Sequence, residues 1–79
     1  MNTLDTLPAD ASARVHSLQM TGDIRSRLQD IGLIPGTLVT CVQVGSGLAA
    51  YRIRGAVIAL RHADAMNIVV RKIETSPLG

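Results

Sequence analysis

Ile31-Gly32-Leu33-Ile34-Pro35-Gly36-Thr37 joins a helix stop to a turn. Gly32, directly after Ile31, can take the left-handed conformation that closes a helix, and Leu33 can then fold back on Leu28. In the tetrapeptide Ile34–Thr37, Pro35 and Gly36 hold the second and third positions, the pattern of a type II turn. A helix is therefore stopped and converted into a strand within a few residues, which fixes the angle between them.

Upstream, Ile24, Leu28 and Ile31 fall at i, i+4 and i+7, the stripe of an amphipathic helix. Arg25, Ser26, Arg27, Gln29 and Asp30 occupy its other faces. Thr21 or Gly22 is the expected N-cap, with Asp23 in the first turn, where the helix dipole favours an anion. Before the helix, Ala13 to Leu18 reads as a strand, and Leu4 and Leu7 lay a short segment on the core ahead of Pro8.

Downstream the period becomes β. Leu38 to Val44 is a strand with Val39 and Cys41 on one face, followed by the hairpin loop Gly45-Ser46-Gly47. Ala50 to Arg54 alternates, Tyr51 and Ile53 on one side and Arg52 and Arg54 on the other. Gly55-Ala56 makes a tight turn or bulge. Val57 to Leu60 is a further strand, His62 to Met66 a single helical turn, and Asn67 to Lys72 a last strand. Residues 74 to 79 show no pattern and are expected to be loose, so residues 1 to 79 form one domain. The prediction is a mainly β fold with one short helix: a small, partly open SH3-like barrel of about five strands, a closure that limits exposed edges.

Composition narrows the function. A chain of 79 residues buries only about 60% of its unfolded surface on folding, so its core is small. Hydrophobic residues at 47% suffice for that core. A net charge of +2 is too weak for a nucleic-acid footprint, and one Tyr with no Trp or Phe leaves no stacking platform. Residues 31 to 51 carry no charge, a span long enough in principle to cross a bilayer. Pro35 and four glycines would break such a helix, so the run reads as a turn followed by strands. No signal peptide is evident, and the lone Cys41 points to a reducing, cytoplasmic setting.

Nothing suggests catalysis. His16 and His62 are the only histidines, the first two residues after Arg14 and the second directly after Arg61, and the carboxylates are scattered singly. Cys41 alternates with apolar positions, as a buried inert thiol does. No spaced ligand set is available for a metal, and no cofactor is expected.

The stop-and-turn stretch resembles the signature of the ferrous iron transport protein A (FeoA) family. Arg52-Ile53-Arg54-Gly55-Ala56-Val57-Ile58-Ala59-Leu60-Arg61 is similar to that family's strand-turn-strand, and Ala65 to Val70 continue the match. Leu4-Asp5-Thr6-Leu7-Pro8 ahead of Arg14-Val15 also fits, so the resemblance covers roughly residues 4 to 72. The loop Gly45-Ser46-Gly47-Leu48 departs from it, lacking the proline common there.

The resemblance implies a cytoplasmic accessory of bacterial ferrous iron uptake, peripheral to the inner membrane only through its partner. That partner is the membrane iron transporter with a cytoplasmic GTP-binding domain. Homo-oligomers are compatible with it, and metal binding is a family-level association. Leu33, Ile34 and Leu48, rimmed by Arg25, Arg27, Arg52 and Arg54, are the expected docking residues, with Gly32, Pro35, Gly36 and Gly55 as structural turns. An arginine could instead act on the partner's GTP. The alternative is a stand-alone SH3-like regulatory module, related to the C-terminal domains of metal-dependent repressors.

Overall fold

Alternation of small or apolar residues with polar ones bends the chain into a single antiparallel sheet. The computed structural model describes residues 2–73. In chain order it contains β1 (Asn2–Thr3), a 3₁₀ turn (Leu4–Thr6), β2 (Ser12–Leu18), α1 (Asp23–Asp30) and β3 (Leu38–Val44). Then follow β4 (Leu48–Ile53), β5 (Ala56–Arg61), α2 (His62–Ala65) and β6 (Ile68–Lys72). The strand order is β1-β6-β2-β3-β4-β5. The fold is mainly β with one helix of two turns and one short helical turn, as the periodicity predicts.

Two register shifts, between Val15 and Ser17 in β2 and between Cys41 and Gln43 in β3, coil the sheet. The concave face gathers the core: Leu4, Leu7, Val15, Leu28, Leu33, Val39, Cys41, Tyr51, Ile53, Ile68 and Val70 are all buried. Leu4 in the 3₁₀ turn and Leu7 directly after it join that core, as expected of them.

The structure differs from expectation in several places, Ala56 among them, which opens β5 and is not part of the turn. There are six strands rather than five, because β1 is two residues long and pairs only with β6, too short to show a period. β4 starts two residues earlier than Ala50 and stops at Ile53. Arg54 is therefore not a strand residue; with φ of 51° beside Gly55 at 85°, it forms a two-residue hairpin turn of type I′ shape. Ile31 leaves the helix stripe and is 41% exposed, since α1 ends at Asp30. The predictions for residues 74–79 lie outside the described residues.

Tyr51 is the largest buried side chain, its hydroxyl donating to the Leu4 carbonyl at 3.4 Å. Burial, helped by the neighbouring Cys41 and Asp5, pushes its pKa up to about 12. A tyrosine in the unfolded chain ionises near 10. Its contribution is thus complete below pH 10 and is lost as pH rises from 10 to 12, by about 2–3 kcal/mol. Urea unfolding at pH 9 and at pH 11.5 should show that loss together with one from the buried Cys41 thiol, whose pKa is also raised, and Tyr51→Phe should remove the tyrosine's share.

Candidate docking surface

α1 ends in a complete Schellman motif. The Leu33 amide donates to the Leu28 carbonyl (2.9 Å) and the Gly32 amide to that of Gln29 (3.0 Å), with Gly32 at φ of 105°. The Thr37 amide then donates to the Ile34 carbonyl (3.0 Å) across Pro35 and Gly36, and Gly36 has φ of 94°, a type II turn. The Thr37 hydroxyl ties the two motifs together by donating to the Gly32 carbonyl (2.7 Å).

β2 pins this corner from the other side. The Val15 amide donates to the Thr37 carbonyl (2.9 Å) and the Gly36 amide to that of Val15 (2.8 Å). The Arg14 guanidinium reaches the Gly36 carbonyl at 2.9 Å. The turn is a fixed ledge, and its side chains have fixed directions.

Those directions divide the expected docking residues. Leu33 is fully buried, so its assignment to the docking surface is corrected: the Schellman closure folds it onto Leu28 and into the core. Ile34, one residue on, is 41% exposed, as is Ile31. Arg54 crosses from the β4–β5 turn and lays its stem over Gly32, where a Cβ would sit 2.5 Å from the Arg54 Cδ. Gly32 therefore serves twice, as helix terminator and as the bed of an arginine.

Beside this crossing is an open groove of about 330 Å³ lined by Thr37, Leu38, Thr40, Arg52, Arg54 and Gly55. Arg52 stands opposite Thr40 in the β3–β4 register. Sequence reasoning missed Leu38, which is 43% exposed; its alternation with the inward Val39 and Cys41 was the available signal. Leu48 is exposed but lies elsewhere, about 13 Å along β4 from Arg52. It lines a separate depression with Gln43, Ala50 and Ala59, so it shares no patch with Ile34. Arg25 and Arg27 are exposed on α1 and do not line the groove.

Cys41 is buried in β3, and burial raises its thiol pKa, which keeps it protonated and unreactive. His16 is exposed on β2, while His62 is half-buried at the start of α2. Among the described residues, no three of the His, Cys, Asp and Glu side chains are grouped to hold a metal ion. Among them too, no helix is long and apolar enough to cross a membrane.

The family model described as the FeoA domain matches residues 2–72. No protein with a curated description matches the chain. Among solved structures, the chain is similar to FeoA of Stenotrophomonas maltophilia in complex with zinc, called a unique procaryotic SH3 domain protein. Identity there is 32%, with 89% of each chain covered and a TM-score of 0.80. It is also similar to iron(II) transport protein A of Clostridium thermocellum, at 27% identity and a TM-score of 0.83, over 90% of this chain. The chain spans 45% of that relative's length. Cadmium-bound ScaR shares the fold, at 22% identity over 91% of this chain and 36% of its own, with a TM-score of 0.78.

Proposed function

Because the chain belongs to the FeoA domain family, we propose that it is a small accessory protein of bacterial ferrous iron uptake. In this reading it docks on the cytoplasmic GTP-binding part of a membrane iron transporter and modulates it. One observation carries the mode of docking: a rigid corner presents the half-exposed Ile31 and Ile34 beside a groove containing Leu38, Arg52 and Arg54. Apolar groups held on a backbone that is already ordered lose little freedom on binding. A rim of guanidiniums adds orientation and encounter rate more than affinity.

The test is binding of the purified chain to the cytoplasmic part of the ferrous iron transporter from the same cell. Ile34→Asp should weaken it at least tenfold, about 1.4 kcal/mol, because a carboxylate would be desolvated without a partner. Leu48→Asp should change it little, since Leu48 lies on the other depression. Unchanged binding for Ile34→Asp, with an unchanged circular dichroism spectrum, would sink this mode. Stimulation of GTP hydrolysis by about a hundredfold or more, lost on changing one arginine to alanine, would replace docking by a catalytic arginine.

A further inference from the structure

Among the described residues, no strand of the sheet carries an aspartate or a glutamate. The acids among them sit in turns and in α1 and α2, whereas Arg14, Arg52, Arg61, Arg71 and Lys72 all lie on strands. The register sets Arg14 of β2 directly opposite Arg71 of β6, and opposite Leu38 of β3 on its other side. Like charges facing each other across antiparallel strands repel, so the fold gains nothing from this pair.

Arg14 and Arg71 line a depression of about 270 Å³ together with His16, Pro35 and Gly36. It adjoins the groove of Arg52 and Arg54 across the Gly36–Thr37 ledge and Leu38. The single ion pair among the described residues is Arg61 with Asp64, at 3.0 Å, so these four arginines have no carboxylate partner there. Arg54 also holds a left-handed backbone conformation that non-glycine residues seldom adopt. Two cationic depressions thus flank one half-exposed leucine on a fixed corner.

We propose that this belt binds an extended acidic segment of a protein partner, with carboxylates in the two depressions and an apolar side chain between them on Leu38. Concave pockets with an apolar saddle accept alternating side chains, whereas a bilayer surface is flat on this scale. A guanidinium takes a carboxylate through two parallel hydrogen bonds, and Arg14 keeps donors to spare beyond the one used on Gly36. The inference rests on the docking reading for the source of the segment, but its binding can be measured alone.

The probe is a fluorescein-labelled peptide, DELDE, titrated with the full chain at low ionic strength and followed by anisotropy. Arg71→Glu should weaken binding about fivefold or more. The same change should raise the thermal midpoint, because it places an opposite charge facing Arg14. Arg25→Glu changes the net charge equally but lies on α1, and should alter binding by less than about twofold. DEGDE, without the leucine, should bind more weakly than DELDE.

Equal losses for Arg71→Glu and Arg25→Glu would reduce the belt to net charge and overturn the proposal. So would tighter binding to phosphatidylglycerol vesicles than to the peptide, which would make the ligand a lipid surface. Peptide binding that persists while the transporter part is not bound sinks the docking reading alone. Transporter binding without peptide binding sinks this inference alone.

Discussion

Leu33→Ala should destabilise the domain by about 2–5 kcal/mol, while Ile34→Ala should cost less than about 1 kcal/mol. The two residues are adjacent and both aliphatic, yet one is fully buried and the other 41% exposed. Leu33 lies against α1 through the hydrogen bond to the Leu28 carbonyl, and a cavity there would open between helix and sheet. In a domain this small each kcal/mol moves Tm by about 4–8 °C, so Leu33→Ala should lower it by at least about 8 °C. Thermal unfolding followed by circular dichroism separates the two. Equal shifts would mean that the corner does not direct these side chains as described.

The second large effect belongs to Gly32. Gly32→Val imposes a β-branched side chain at φ of 105°, which costs about 1–2 kcal/mol from backbone sterics. The new Cβ would also sit 2.5 Å from the Arg54 Cδ, so the arginine stem must leave its bed. The two costs are separable, because Arg54→Ala removes the clash and leaves the strain. Gly32→Val should therefore cost at least about 2 kcal/mol in the wild-type background and measurably less in Arg54→Ala, a coupling of about 0.5 kcal/mol or more. Urea unfolding of the four proteins gives the cycle. A Gly32→Val protein as stable as wild type would show that the helix does not end there.

The corner was legible in the sequence because its chemistry is local. Glycine after the last helical turn and Pro-Gly inside a turn act through backbone angles that depend on nothing distant. The strands were legible where Val39, Cys41, Tyr51 and Ile53 alternate with polar residues. β1 was not, since two residues carry no period and owe their pairing to β6 at the far end of the chain. The candidate surface was harder to read. Arg52 and Arg54 line one groove and Ile34 stands on the corner beside it, but Leu33 and Leu48 look equally apolar on paper. The glycine stop already turns Leu33 back onto Leu28, whereas only the fold separates Leu48, carried to the far end of β4, from a leucine beside the groove. The facing of Arg14 and Arg71 is a matter of strand register, which joins residues far apart in the chain.

The place of β6 governs the kinetics of folding. It is last in the chain, yet it inserts between β1 and β2, which are first. The β3–β4–β5 meander closes through loops of a few residues, whereas pairing Leu18 with Ile68 must gather almost the whole intervening chain. Each doubling of loop length adds about 0.6 kcal/mol of closure entropy, so four to five doublings set the two events about 3 kcal/mol apart. The speed at which this domain forms is therefore set by one distant encounter and not by the well-formed corner. β1, whose sole neighbour is β6, has no sheet to join until that encounter has taken place.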